Sequence, residues 1–259
     1  MELRKKKEIE YYDRHAEEIK KNESNESDFE GFNPLSLSSF QFCYDWLRKN
    51  CQNKKVLDFG CGNGVHTRSI ANMGVQKVIG IDLSEKLLEL AREKAKREKK
   101  ENKIEFLKMD CEKMNFPDNT FDIIFDGGTF SSLDLKKVYT ELDRVLKPTG
   151  HLLGIETFGH NPFTNLKRRI NKLSGKRTEW ASEHIYKMED LKEAKKYFDC
   201  VEAHFFHLFS WTVFPLLSLP GGKILLKWLE LVDNAMLKIT FFKKYAFKVV
   251  FVLSSPKKR

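Results

Sequence analysis

Seven short apolar runs constrain the fold of this chain more than any other feature. KKVLDFG, KVIGIDL, IEFLKMD, FDIIFDGG and HLLGIET succeed one another between Lys54 and Thr157, with periodic helical segments after the first, second and fourth; DCVEAHFFHLF and AFKVVFVLS follow later. The first five are near-continuous rather than alternating, the pattern of parallel strands covered on both faces. With right-handed crossovers they build an α/β fold with a doubly wound, seven-stranded, mostly parallel sheet. The segment ELDRVLKPTGHLL supplies one joint: a helix through Leu146, a stop at Pro148-Thr149-Gly150, and the next strand at once.

Four units are expected along the chain. Residues 1–34 comprise a charged amphipathic helix and the polar linker NESNESDFEGFNP, a candidate lid over a ligand site. Residues 35–207 are the core, entered through a second helix in SLSSFQFCYDWLRKN. Residues 208–243 are apolar with sparse charges and form a helical insert before the last strand; Pro215 and Pro220-Gly221-Gly222 break it, so it lacks the roughly 20 apolar residues of a membrane span. Residues 244–259 hold the last strand and a basic tail.

Hydrophobic residues at 41% and charged residues at 32% suit a folded globular chain. Cys43, Cys51, Cys61, Cys111 and Cys200 form no CxxC pair and no ligand cluster, so no metal site is expected. The opening MELRKKKEIEYYDRHAEEIKK has no apolar signal segment, and together these features predict a reducing cytoplasm. The net charge of +9 is compatible with nucleic acid, anionic lipid or a phosphorylated substrate. Part of it lies in KLLELAREKAKREKKENK, where interleaved acids mark a solvated helix face.

The stretch VLDFGCGNGVHT is the strongest chemical signal. Gly60, Gly62 and Gly64 bring bare backbone to the end of the first strand, but position 65 is Val, so the GxGxxG fingerprint of dinucleotide folds is missed. Asp58 precedes Gly60 by two residues, where a carboxylate can pair with a positive group of a ligand. Asp82 ends the second strand, placed to accept from two ribose hydroxyls. A ligand with a ribose, a cationic amine and a carboxylate but no phosphate satisfies this pattern, and S-adenosylmethionine is one. Each residue also has a purely structural reading: Asp82 as a helix cap, Asp110 as a turn acid, Cys111 as a small core residue.

From about Lys54 to Glu156 the chain resembles the class I S-adenosylmethionine-dependent methyltransferases. DFGCGNG matches their glycine-rich motif, GIDLS the ribose station, KMDCEKMNFPDNTFDII the adenine station, FDGGTFSSL the segment after the fourth strand, and RVLKPTGHLL the entry to the fifth. The resemblance implies a Rossmann-like fold. It also implies that Asp58 and Phe59 open the cofactor motif, with Gly60, Cys61 and Gly62 along the methionine portion and its carboxylate near the following helix start. Asp82 and Leu83 are implied at the ribose and adenine, Asp110 at the adenine amino group, Cys111 at a ring nitrogen, and Asp126, Gly127 and Gly128 on the sulfonium side. Tyr12, beside Tyr11, resembles the N-terminal aromatic segment that closes over the cofactor in small-molecule members; the alternative is a helix docking through two aromatics.

Methyl transfer from a sulfonium is an in-line displacement that needs positioning more than a covalent nucleophile. A hydroxyl acceptor still needs a base. Glu156, ending the fifth strand, and His160 in ETFGHNPF are the candidates by topology, with His184 in ASEHIY a third. Where many relatives carry a His pair after the fourth strand, this chain has Ser131 and Ser132.

Nucleic-acid enzymes of this fold often carry NPPY, DPPY or a PC nucleophile after the fourth strand. FDGGTFSSL contains none, and the NPF at Asn161–Phe163 comes one strand too late. The basic stretch NLKRRINKLSGKR (165–177) beside the apolar insert points to a small-molecule, lipid-like or glycan acceptor with an anionic and an apolar part, and to peripheral membrane contact through 208–242. The alternatives are an RNA or protein methyltransferase using the basic surface, or a non-catalytic cofactor-binding subunit. A nicotinamide-dependent oxidoreductase fits least.

Overall fold

A computed structural model describes residues 2–21, 37–162, 164–166 and 178–258. The linker at 22–34, Phe163 and residues 167–177 of the basic stretch lie outside the described residues.

The sheet has the expected seven strands: β1 (Lys55–Phe59), β2 (Lys77–Asp82), β3 (Ile104–Lys108), β4 (Phe121–Asp126), β5 (Leu146–Thr157), β6 (Phe198–Phe206) and β7 (Lys248–Pro256). Their order is β3-β2-β1-β4-β5-β7-β6, parallel throughout except for antiparallel β7. Because adjacent strand residues point to opposite faces, Val56, Val78 and Ile123 enter one apolar core while Leu57, Ile79 and Ile124 enter the other. The first core is covered by α2 (Ser38–Asn50), α3 (Val65–Ala71) and α4 (Glu85–Arg97), the second by α5 (Leu135–Val145) and, after the short α6 (Glu179–Glu183), α7 (Met188–Ala194). Burial on both faces is what makes the first five strand sequences continuous.

The joint before β5 departs from the sequence reading. Helix α5 stops at Val145, and strand pairing begins at Leu146 opposite Phe121 before the register shifts to Ile123 opposite His151. Pro148-Thr149-Gly150 is therefore a bulged start of β5 rather than a gap between helix and strand.

The N-terminal helix α1 (Leu3–Lys21) packs Ala16 and Tyr12 against Leu87 and Leu90 of α4. Between β6 and β7 lies the insert: a 3-10 helix (Ser210–Leu216), then α8 (Gly222–Met236) and α9 (Thr240–Lys243). Among the described residues no helix is long and apolar enough to cross a membrane.

Candidate active site

The strand order reverses between β1 and β4, so the loops after these two strands diverge and leave a crevice at the carboxyl edge of the sheet. The glycine turn fills the β1 side of it. Gly60, Gly62 and Gly64 have φ of 68°, 52° and 74°, a left-handed region open to glycine at little cost. The turn is tied down at both ends: Cys61 donates its N–H to the Ile81 carbonyl, and Gly62 donates to Asp82 Oδ2, each at 2.9 Å. A Cβ on Gly60 would stand 2.3 Å from Thr129 Oγ1, whereas one on Gly62 would meet nothing within 4 Å. Gly60 thus lets the β4 loop close against β1, and Gly62 is the position whose bare backbone faces open space.

Acids stand at the tips of four strands. Asp58 is buried in β1 and accepts from the Thr67 hydroxyl at 2.5 Å. Burial pushes its carboxyl up to about 7, against the Thr67 bond and with the help of Asp82. Asp82 accepts from Gly62 N–H and Ser84 N–H at 2.9 Å each; burial raises its carboxyl, opposed by those backbone donors. Asp126, fully buried at the end of β4, accepts from Thr129 N–H at 2.9 Å and Gly128 N–H at 3.3 Å through Oδ1. Its Oδ2 is buried with no hydrogen-bond partner. Burial first and Glu156 second hold this carboxyl well above the ordinary range. Glu156 on β5 is buried and accepts from Phe130 N–H at 2.6 Å. This donor set fits a cationic adenosyl ligand: a glycine cradle, acceptors at the strand tips, and an unpartnered buried carboxylate oxygen. A pyrophosphate would meet like charge on every side.

Other cofactor candidates sit around this cluster. Phe59 is entirely core, edge-on to Phe130, and offers the site only its backbone. Cys61 and Cys111 are buried with thiol pKa values raised well above normal by burial, so neither is poised as a nucleophile. Leu83, Gly127 and Gly128 are half-buried along the crevice, Gly128 with φ of 116°.

Helix α1 closes over the far side. Lys5 Nζ lies 2.7 Å from Asp110 Oδ2 and 2.8 Å from Glu112 Oε2, and Arg4 pairs with Glu112 while donating to the Ser132 carbonyl at 2.7 Å. Asp110 Oδ1 takes the Glu112 N–H at 2.9 Å. Tyr12 brings its hydroxyl within 3.4 Å of Ser132 Oγ, and Ser84 donates to Asp13 at 2.5 Å. The helix therefore touches the loops after β2, β3 and β4 together. Sequence reading singled out Tyr12 but not Arg4 or Lys5, whose partners lie more than a hundred residues away.

The candidate bases divide. Glu156 adjoins Asp126 in the crevice. His160 is turned to α7, accepting the Met188 N–H at 3.1 Å beside Glu189 at 3.4 Å, and His184 is exposed and stacked on Trp180. A histidine that sequence reading passed over lies closer to the glycines: His66, first turn of α3, pairs Nδ1 with Tyr44 Oη at 2.7 Å and stacks on Phe40, and its Nε2 stands 3.2 Å from where a Gly127 Cβ would be. Burial lowers its pKa to about 4, with Lys248 and Arg68 adding to the effect, so the imidazole is neutral at physiological pH. Among the described residues no group of three His, Cys, Asp or Glu side chains is arranged to hold a metal ion.

A family profile described as "Methyltransferase domain" matches residues 57–154, the segment that carries the glycine turn and the acids of the first four strands. Over these residues the chain is similar to the methyltransferase domain family. This chain is 40% identical over 100 residues to sterol 24-C-methyltransferase erg6 of Aspergillus fumigatus, covering 38% of this chain and 26% of that protein. It is 41% identical over 107 residues to demethylmenaquinone methyltransferase of Lactococcus lactis, covering 39% of this chain and 41% of that one. The chain thus spans well under half the length of these curated relatives. Over most of the chain the likeness is one of fold: phosphoethanolamine N-methyltransferase 2 of Haemonchus contortus superposes with a TM-score of 0.58 at 20% identity over 86% of this chain and 58% of that one.

Proposed function

We propose that the protein transfers a methyl group from S-adenosylmethionine to a small-molecule or lipid-like acceptor in the crevice between β1 and β4. The observation that carries this reading is the acid cluster on the glycine turn. Asp58, Asp82 and Asp126 all have raised carboxyl pKa values, and among the described residues no ion pair reaches any of them. A sulfonium ligand supplies the missing positive charge, and when bound it supplies an electrophilic methyl group. Asp82, with lone pairs to spare beyond its two backbone bonds, takes the ribose hydroxyls. Asp126 Oδ2 accepts from the ligand's cationic amine, and the bare backbone at Gly62 lets the methionine portion approach. Helix α1, clamped by Lys5 and Arg4, excludes water from this side.

The acceptor enters from the β5 and β7 side. There Phe40, His66 and Lys248 form a wall, with Lys248 Nζ 5.5 Å from the Phe40 ring centre, and Val213 and Phe214 of the insert belong to the same apolar cluster as Phe40. An apolar acceptor with a polar reacting end matches that lining. Two matched relatives are named for apolar acceptors, a sterol and demethylmenaquinone. His66, neutral and oriented by Tyr44, is better placed than His160 to take a proton from a hydroxyl at Gly127. Incubation of the full chain with labelled methyl donor and fractionated lipids, small molecules, RNA and protein tests this: label enters the lipid or small-molecule fraction. Label confined to RNA or protein, or no label alongside tight cofactor binding, defeats it.

A further inference from the structure

Helix α8 is amphipathic in the wrong sense for a protein in water. Ile224, Leu225, Trp228, Leu231 and Val232 recur at the spacing of one helical face, and that face is exposed: Ile224 is 65%, Trp228 66% and Leu231 63% accessible. The opposite face carries the buried residues, one of them an acid. Asp233, 2% exposed, accepts from Phe209 N–H at 2.8 Å and Ser210 N–H at 3.0 Å, so the inward face of α8 is anchored to the start of the 3-10 helix. Leu219 and Phe241 extend the exposed apolar surface beyond both ends of α8.

Charge is sorted in the same direction. Residues 208–243 contain four lysines (Lys223, Lys227, Lys238, Lys243) and two acids (Glu230, Asp233). Both acids face inward: Asp233 as described, and Glu230 with Oε1 buried 3.8 Å from His207 Nδ1. Lys223, Lys227 and Lys238 are exposed, and on the helical wheel Lys223 and Lys227 border the apolar stripe. An aliphatic face with an exposed tryptophan and a purely cationic margin is the composition of a helix that lies in a lipid interface. It disfavours a second copy of this chain as the occupant, because facing copies would set lysine against lysine.

We propose that α8 and its flanking turns dock this protein on an anionic membrane surface, with the apolar stripe among the acyl chains and the lysines at the headgroups. The insert is joined to the crevice edge. His207, where it begins, is bonded to Ser39 of α2 at 3.0 Å, and Lys248, just after it, pairs with Thr157 at the end of β5. Docking therefore holds the crevice beside the bilayer, whatever acceptor the crevice takes.

Flotation of the full chain with phosphatidylcholine vesicles, with and without phosphatidylglycerol, tests this, with calorimetric titration of S-adenosylmethionine on the same samples. The protein floats with the anionic vesicles, more weakly with neutral ones, and less as salt rises. The double change Lys223→Gln and Lys227→Gln weakens anionic binding roughly 30-fold, about fivefold per lysine. Trp228→Ser with Leu231→Ser abolishes flotation, and both variants bind cofactor as the native chain does. Brominated lipid quenches tryptophan emission, and Trp228→Phe removes most of the quenching. Failure to float with either vesicle overturns the proposal, as does flotation unchanged in both variants. A stable dimer in sedimentation that Trp228→Ser dissociates also overturns it, because the occupant is then a second copy. Loss of cofactor binding alone bears on the catalytic reading and not on this one.

Discussion

Replacing Asp82 by Asn tests the cofactor site at its best-defined point. In the native chain Oδ2 holds Gly62 N–H and Oδ1 holds Ser84 N–H, both at 2.9 Å, so one carboxylate fixes the glycine turn and the start of α4 together. An amide keeps one acceptor and turns its NH2 group toward the other backbone N–H, leaving that donor unpaired at a cost of about 1–3 kcal/mol. Relief of a partly desolvated charge, visible in the raised pKa of Asp82, offsets some of this. The net expectation is a loss of about 1–2 kcal/mol, or roughly 2–8 °C in Tm for a chain of this size. Cofactor affinity falls further, because a hydrogen bond from a ribose hydroxyl to a charged acceptor contributes about 1.5–3 kcal/mol, a factor of roughly 10 to 150. Calorimetric titration with S-adenosylmethionine and with a deoxyribose analogue separates the two effects: the analogue binds the native chain weakly, and Asp82→Asn weakens it little more. An affinity for S-adenosylmethionine in the variant equal to that of the native chain would refute the assignment, since Asp82 would then be only a brace for the turn.

Gly60→Ala forces a Cβ to 2.3 Å from Thr129 Oγ1 at φ of 68°, and denaturant titration should register a loss of about 2 kcal/mol or more; Gly62→Ala has room, so it should fold with about 1 kcal/mol of strain yet bind cofactor poorly. Asp58 has a folded pKa raised to about 7 from 3.8, so the stability it contributes is fully present below the unfolded value and is lost as pH climbs through about 7. A cationic ligand offsets that loss, and the thermal shift given by S-adenosylmethionine should grow between pH 6 and 8 more than the shift given by S-adenosylhomocysteine, which lacks the sulfonium charge; equal growth would exclude a role for that charge. Lys5→Glu sets a carboxylate against Asp110 and the buried Glu112, so hydrogen exchange in α1 should quicken and cofactor should leave faster, while unchanged protection would mean that α1 is not held by this pair. His66→Gln should lower turnover of a hydroxyl acceptor with cofactor affinity intact, and because burial holds the imidazole near 4 the native rate should show no inflection from His66 near pH 6.5.

The sheet was legible because both its faces are covered: Val56 and Leu57, Ile123 and Ile124 are adjacent apolar pairs bound for opposite cores, and continuous runs of this kind have few other homes. The start of β5 was not, because Pro148 and Gly150 read locally as a break, and only the partner strand shows that they form a bulge. Helix α1 was legible as a helix, but its place depends on Arg4 and Lys5 finding Glu112 and Asp110, pairings with no local trace. The same holds for His66, an unremarkable residue in GVHT until Tyr44, 22 positions earlier, orients it at the crevice. The apolar character of the insert was plain from composition, whereas the direction in which α8 turns its stripe was not. That direction is set by Asp233 capping the 3-10 helix, a tertiary bond that overrides the preference of leucine and tryptophan for the interior.

The acids divide into two electrostatic groups, and the division bears on order of events. Asp110 and Glu112, after β3, are met by Lys5 and Arg4 from α1, so their charge is balanced by that helix. Asp58, Asp82 and Asp126, deeper in the crevice, are met by backbone N–H groups and a hydroxyl but by no ion pair among the described residues. The α1 cations Arg4 and Lys5 are engaged by Glu112 and Asp110, so the inner charge is left to be balanced by protons or by a ligand. Protons serve at low pH and the sulfonium serves above it, which makes cofactor binding and proton release two halves of one exchange. Release of the Asp58 proton on binding, read as a dependence of calorimetric heat on buffer ionisation enthalpy, should therefore be present at pH 6 and fade by pH 8. Binding without any proton release at pH 6 would place the positive charge of the ligand elsewhere than among these three acids.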